Sequence, residues 1–186
     1  EAFKEVYRLF WDDFSSLYLE MVKPAYGEPI DAPTLEATKG YFDALMRVLH
    51  PFMPFVTEEI WQALASRRDG ESICVARMPE AGEVDEAMLA RFELAREIIS
   101  AVRNIRNQKN LPQKEALTLH VIVDENYPAE FAPVVMKMAN LSSIEAVTEK
   151  DPAAAAFLVK TTQYFVPLAG KIDTAAEIKK LSDDLK

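Results

Sequence analysis

Residues 50–61 read HPFMPFVTEEIW, and this segment predicts a corner between two helices. Pro51 and Pro54 disfavour the α region for the residues that precede them, so a helix that ends near Leu49 has to break before the chain restarts. Proline is tolerated in the first turn of a helix, which makes Pro54 a suitable start for the next one. We therefore expect a structural corner without a catalytic role.

Histidine, cysteine and glycine usage gives no sign of a catalytic or metal site. His50 lies at a predicted helix end, where its ring can bond the last free carbonyl groups, and His120 lies in a predicted strand with no partner motif. Cys74 is the single cysteine, so neither an internal disulfide nor a cysteine-based metal site is expected. The 5 glycines form no phosphate-binding motif. We expect no catalytic residue, metal or cofactor in this chain.

The apolar pattern predicts that the first part of the chain is helical. Apolar side chains recur at three- and four-residue steps from about residue 2 to residue 23, again over 34–49, and from residue 54 to about residue 65. A long fourth helix is predicted from about residue 84 to residue 109. We expect residues 1–110 to form an antiparallel helical bundle.

The first predicted helix carries a stripe of large apolar side chains, namely Phe3, Val6, Tyr7, Phe10, Phe14, Leu17, Tyr18 and Met21. Such side chains are usually buried, so we predict that the stripe belongs to the packed core. The alternative is a platform on which nucleic-acid bases stack, and it requires exposed rings. The regular spacing, with polar residues between the rings, favours the core.

The hydrophobic period changes after Leu111-Pro112. Residues 117–123 are β-rich, residues 127–140 predict a helix, and residues 144–147 and 163–168 predict short strands. We expect a small α+β subdomain over residues 111–172. Residues 173–186 again predict a helix. The fold class is therefore mainly α, a helical bundle followed by a small α+β region.

Composition and hydropathy favour a globular, cytoplasmic protein. The chain has 186 residues, of which 49% are hydrophobic. Its longest apolar runs are far shorter than the roughly 20 residues that span a bilayer. It opens without a basic and then apolar leader, and one cysteine suits a reducing compartment. We expect no membrane partner.

Charge is distributed unevenly along the chain. The net charge of -9 argues against broad nucleic-acid binding, which normally leaves a basic surface. Residues 96–114, however, hold five basic side chains and one acidic side chain. Because the Debye length is about 8 Å at physiological salt, a phosphate near this segment would feel mainly the local charge.

The basic segment provides the candidate nucleic-acid contacts, which are Arg96, Arg103, Arg106, Lys109 and Lys114. A helical wheel predicts that the three arginines lie on one exposed face, where guanidinium groups can bind successive phosphates. The alternative is a solvated face that pairs with neighbouring acids, as most exposed charges do. Residue types and spacing alone leave both interpretations open.

The corner segment resembles the H-P-F-x-P-F-x-x-E-E-x-W motif in the anticodon-binding helical domain of class I aminoacyl-tRNA synthetases for valine, isoleucine and leucine. Three further segments are similar to valyl-tRNA synthetases in particular. They are residues 10–20 (FWDDFSSLYLE), residues 98–112, which contain VRNIR, and residues 167–177 (PLAGKIDTAAE). The last segment favours the valine enzymes.

The resemblance implies the anticodon-binding region of an enzyme that attaches valine to tRNA(Val) using ATP. The H-I-G-H and K-M-S-K-S segments that hold ATP in that family have no counterpart here, so ATP is expected to bind outside this chain, which should be inactive alone. The family's bundle has further helices before the part matched here. Residues 173–186 would begin its C-terminal coiled-coil arm, and the parent is expected to be monomeric and to bind no DNA.

Two alternatives remain. The first is the anticodon-binding domain of the related isoleucyl or leucyl enzymes, which share the corner motif. In a different class, the acidic helices would form a protein-interaction module, and the basic helix would serve only internal pairing. RNA binding should weaken steeply with salt, whereas a mainly apolar protein interface should respond weakly.

Overall fold

The computed structural model describes residues 1–149, 151–152 and 154–168. The chain divides into two compact units, Glu1–Glu83 (unit 1) and Val84–Lys186 (unit 2). The helix predicted over residues 173–186 lies outside the described residues. Within the described part of the chain, no helix combines the length and apolarity that a membrane span requires.

Unit 1 is helical. Its elements are α1 (Ala2–Arg8), a π-helical segment (Leu9–Tyr18), α2 (Leu19–Val22), α3 (Ala32–Leu49), α4 (Pro54–Leu64) and a 3₁₀ turn (Ile73–Val75). The first three are continuous in sequence and match the helix predicted from residue 2 to residue 23. In the π-helical segment, the Ser15 and Ser16 hydroxyls each donate to a carbonyl five residues earlier, at 2.8 Å.

The predicted corner between α3 and α4 is confirmed. α3 ends at Leu49, and α4 begins with Pro54 in its first turn. The backbone N–H of Met53 donates to the Leu49 carbonyl at 3.1 Å, which closes the link between the helices. The prediction that the His50 ring bonds the last carbonyls of α3 is wrong. The ring instead contacts the side chains of Thr57 and Cys74.

The core of unit 1 joins the first helix, α3, α4 and the 3₁₀ turn. Its buried members are Phe14, Leu45, Met46, Leu49, Trp61 and Ile73. Burial of their apolar surface stabilises the unit at roughly 25 cal/mol for each Å² removed from water. The three helical elements predicted before residue 65 therefore share one core.

The prediction that the whole aromatic stripe of the first helix is core is wrong. Phe14 is 7% exposed, whereas Phe3 is 46% and Tyr7 is 50% exposed. A π-helical turn contains more residues than an α-helical turn, so positions spaced for an α-helix do not stay on one face across Leu9–Tyr18. Phe52, Phe3, Tyr7 and Trp11 instead form an exposed row of rings whose successive centroids lie 5.2, 6.1 and 6.3 Å apart.

The described part of unit 2 combines helices with a small mixed sheet. Its elements are α5 (Glu86–Gln108), β1 (Leu117–Ile122), a 3₁₀ turn (Ala129–Phe131), α6 (Ala132–Ala139), β2 (Leu141–Ala146), β3 (Ala155–Val159) and β4 (Thr162–Val166). The sheet order is β2-β1-β4-β3. β1 and β2 are parallel, and the other two pairs are antiparallel. α6 connects the parallel pair, as a crossover between parallel strands requires.

The apolar face of α5 lies in the core of unit 2. Leu94, Ala95, Ile98, Ile99, Val102 and Ile105 are buried in one cluster with Leu117, Leu119 and Val121 of β1. The predicted bundle over residues 1–110 includes α5, and the predicted α+β region begins at residue 111. The compact units instead divide after Glu83, because α5 buries its apolar face with the sheet. The prediction of a mainly α fold with a small α+β region is confirmed, and the strands of that region form a mixed sheet.

Candidate nucleic-acid interface

The second half of α5 has a polar face that is exposed to solvent. Asp85 caps the start of the helix, with the carboxylate accepting from the Met88 N–H at 2.9 Å. Along the second half of the helix, exposed and buried positions alternate with helical spacing. The exposed positions are Arg96, Glu97, Ser100, Arg103, Asn104, Asn107 and Gln108. This surface contains two of the five predicted contact residues and four further groups that can donate hydrogen bonds.

Arg96 is exposed, as predicted, and it pairs with a neighbouring acid, as the alternative interpretation predicts. Its Nη1 lies 3.1 Å from the Glu93 carboxylate one turn earlier, and its side chain is 43% exposed. An exposed ion pair of this kind contributes at most about 1 kcal/mol. Because the pair is weak, Arg96 can exchange Glu93 for a phosphate at little cost.

Arg103 is exposed but partly committed to the protein. Its Nε and Nη2 donate to the Met138 carbonyl of α6, at 3.2 and 2.8 Å. A guanidinium carries five N–H groups, so three remain for a ligand. The contact with Met138 fixes the plane of the guanidinium at the helix surface. Such fixing reduces the entropy that a bidentate phosphate contact would otherwise cost.

The prediction that Arg106 lies on an exposed face is wrong, because its side chain is buried, with 1% exposure. Its Nη1 donates to the Pro112 and Glu115 carbonyls at 3.2 and 2.7 Å. Its Nη2 donates to the Ala139 and Asn140 carbonyls at 3.1 and 2.7 Å. Burial lowers the pKa of the guanidinium, and the charge of Glu115 opposes this shift.

Arg106 therefore connects three parts of unit 2. It binds α5 to the loop before β1 and to the C-terminus of α6, where the unpaired carbonyls carry partial negative charge. Asn140 ends α6 with a left-handed φ of 51°, and its side chain donates to the Gln113 carbonyl at 2.8 Å. Arg106 holds the loop that carries Lys114, which gives it a positioning role for the surface.

The burial of Arg106 could have been read from the sequence. Arg106 follows Val102 by four residues and Ile99 by seven, and both of these side chains are buried. On a helical wheel these three positions therefore share the core face. The charge of Arg106 concealed this spacing, because arginine is rarely fully buried without hydrogen-bonding partners.

The two lysines lie at and beyond the end of α5. Lys109 is half-buried at the C-cap of α5. Its backbone N–H donates to the Ile105 carbonyl at 2.9 Å. Lys114 is exposed in the turn that leads to β1. Between them, Asn110 adopts a left-handed φ of 50°, which reverses the chain after the helix. Of these two lysines, Lys114 is therefore the more exposed to solvent.

The sequence of residues 1–123 matches the family described as the anticodon-binding domain of tRNA ligase. This chain belongs to that family. The match includes α5, the loop after it and all five predicted contact residues. The family match therefore includes the exposed cationic side chains Arg96, Arg103 and Lys114, which we call the basic surface.

Individual relatives of this anticodon-binding chain share one name. The chain is 55% identical over 186 residues to a valine–tRNA ligase of Parabacteroides distasonis, with all of the chain and 21% of the relative covered. It is 55% identical over 185 residues to the valine–tRNA ligase of Porphyromonas gingivalis, with the same coverage. With that of Listeria innocua it shares 35% identity over 197 residues, or 22% of the relative. The chain thus spans about a fifth of the length of these relatives.

Proposed function

We propose that this chain is the tRNA-binding region of a valine–tRNA ligase, an enzyme that attaches valine to tRNA(Val) using ATP. The observation that carries the proposal is the family match over residues 1–123, which contains an exposed polar helix face with cationic side chains. The name shared by the relatives supports valine over isoleucine or leucine.

The proposal includes an antiparallel helical bundle for the helices of unit 1. Two observations support it. The first helix, α3 and α4 contribute to one buried core. The link between α3 and α4 consists of residues 50–53, and short links favour antiparallel neighbours.

The proposed contacts with RNA are of two kinds. Contacts with phosphates position the RNA, and contacts with bases recognise its sequence. Arg96, Arg103, Lys109 and Lys114 bind phosphates, and this binding orients the RNA without sequence information. Bases of a single-stranded loop are read by stacking and by hydrogen bonds to their edges. Arg106 acts from the interior, since it holds the loop in which Lys114 lies.

ATP binds outside this chain in the proposed enzyme. The sequence has 5 glycines and no glycine-rich phosphate loop, so its residues do not suit a nucleotide. No cluster of three or more metal-binding side chains occurs among the described residues. The parent acts as a cytoplasmic monomer, with tRNA(Val) as its RNA partner and neither DNA nor a membrane as a ligand.

Binding of a tRNA(Val) transcript to the 186-residue chain tests the proposal. We expect affinity to fall in the double variant Arg96→Glu and Arg103→Glu, because both substitutions replace a phosphate contact by a like charge. The matched control is the double variant Arg68→Glu and Arg77→Glu, because both arginines are exposed but belong to unit 1 and not to the candidate surface. Equal losses of tRNA affinity in the two double variants would contradict the proposed surface.

A further inference from the structure

A cysteine, a histidine and a threonine form a hydrogen-bonded chain in unit 1. The Nε2 atom of His50 lies 3.2 Å from the Cys74 Sγ. The Nδ1 atom of the same ring lies 2.8 Å from the Thr57 Oγ1. A nucleophile, a base and a group that orients the base are the parts of an activated thiol.

Thr57 determines which ring nitrogen of His50 is free to accept a proton. The Thr57 hydroxyl is 2.8 Å from the Met53 carbonyl and 3.3 Å from the Pro54 carbonyl, and carbonyl oxygens can only accept. We assign its single proton to Met53, so its lone pair accepts from His50 Nδ1–H. Nε2 then carries the lone pair that faces the Cys74 thiol. Thr57 is 1% exposed, so water does not compete for this contact.

The turn that carries Cys74 is fixed from two sides. The Glu58 carboxylate accepts from the Ser72 hydroxyl at 2.7 Å and from the Ile73 N–H at 3.0 Å. The Ser72 hydroxyl oxygen in turn accepts from the Cys74 N–H at 3.1 Å. Ile73 is buried in the core of unit 1, whereas Cys74 itself is exposed. The thiol is therefore held against the base and remains open to solvent.

We propose that Cys74 is a modification site at which His50 removes the thiol proton and hydrogen peroxide oxidises the sulfur to a sulfenic acid. The thiol proton passes to Nε2, and the thiolate attacks one peroxide oxygen. An S–O bond forms as the O–O bond breaks, so sulfur loses two electrons and peroxide gains them. The departing hydroxide takes the proton back from His50, and the products are Cys–SOH and water.

Glu58 supports the charged intermediate of this step. Hydrogen bonds from Gln62 and Ser72 lower the pKa of Glu58, and the His50 charge contributes to the same shift. The carboxylate is therefore ionised at neutral pH and favours the imidazolium that forms beside it. A positive charge near the thiol is the usual environment of reactive cysteines, and here the imidazolium of His50 provides it.

The rate of sulfenic acid formation tests the proposal, and Cys74 is the chain's single cysteine, so every thiol signal comes from it. At pH 7 an ordinary thiol is only about 3% ionised, so full activation accelerates the reaction by about 30-fold at most. We expect the folded chain to react about tenfold faster with peroxide than the same chain in concentrated urea. Mass spectrometry of the trapped sulfenic acid gives both rates.

The His50→Gln variant isolates the base, and His120→Gln is the matched control in unit 2. We expect His50→Gln to react no more than about twofold faster than the unfolded chain, and His120→Gln to keep the wild-type rate. An unchanged rate in a folded His50→Gln variant would overturn the proposal. If that variant does not fold, equal rates for the folded and unfolded wild-type chain would overturn it.

Discussion

The Nη2 atom of Arg106 lies 2.7 Å from the Asn140 carbonyl, which ties the end of α5 to the end of α6. Together with three further carbonyl contacts, it satisfies both terminal nitrogens of a side chain that is 1% exposed. Arg106, a predicted RNA contact, is therefore part of the interior of unit 2. The basic surface depends on it indirectly, through the loop that it holds.

Removal of the Arg106 guanidinium should destabilise the chain strongly. Arg106→Met leaves four buried or half-buried carbonyls without their charged donor, and we expect the free energy of unfolding to fall by about 2–4 kcal/mol. Urea unfolding followed by circular dichroism measures the change. Arg96→Met is the matched control, and because Arg96 is exposed, its effect should stay within about 0.5 kcal/mol. Equal, small effects for both variants would show that Arg106 is not an internal connection.

The Arg91–Glu130 ion pair should make stability depend on pH in acid. Hydrogen bonds from Arg91, one of them 2.6 Å long, lower the pKa of Glu130 from 4.5 to about 2. A carboxylate with a lowered pKa in the folded state stabilises it fully above its ordinary pKa, and this contribution is lost as pH falls toward the folded value. We expect Glu130→Gln to lower stability at pH 7, and we expect its difference from the wild type to shrink as pH falls to 2 and to vanish below that pH.

A nearby carboxylate that lies outside the ion pair shows whether the acid dependence of stability comes from the Arg91–Glu130 pair or from acids in general. Glu125 is exposed and lies close to Glu130 in sequence. We expect Glu125→Gln to keep the acid dependence of the wild type. The account of the pair fails if Glu130→Gln and the wild type remain separated by the same free energy from pH 7 to pH 2.

The two tryptophans should differ in their access to a quencher. Trp11 is 53% exposed in the row of rings on the first helix, whereas Trp61 is 7% exposed and has the Arg67 guanidinium 3.5 Å from its ring centroid. We expect acrylamide to quench the Trp61→Phe variant, which keeps Trp11, severalfold more strongly than Trp11→Phe. Similar quenching of the two variants would contradict the exposed row and would restore the core interpretation of the stripe.

Local periodicity predicted the helices and three of the four strands, because each buries one face with a regular spacing. β3 was missed, since Ala155 and Ala156 carry no strand signal and the strand is defined by pairing with β4, from Ala155 opposite Val166 to Val159 opposite Thr162. The exposed rings were missed for a related reason. A π-helical segment changes which residues share a face of the helix. The local sequence pattern did not predict this π-helical segment.

The candidate site was only partly predictable. Arg96, Arg103 and Lys114 are exposed as expected, and Lys109 is half-buried at the end of the same helix. The Cys74–His50 contact joins residues 24 positions apart, and their meeting depends on how the turn after α4 packs. Sequence alone therefore indicated where cations cluster, but tertiary packing decides which of them face solvent.

The most direct test is the salt dependence of tRNA(Val) binding by the 186-residue chain. A logarithmic plot of affinity against salt should have a slope proportional to the number of phosphates neutralised. We predict that Arg96→Gln and Lys114→Gln each reduce this slope by about 0.7–0.9, while Arg68→Gln leaves it unchanged. A slope near zero, or one that neither Arg96→Gln nor Lys114→Gln alters, would contradict the claim that this surface binds RNA.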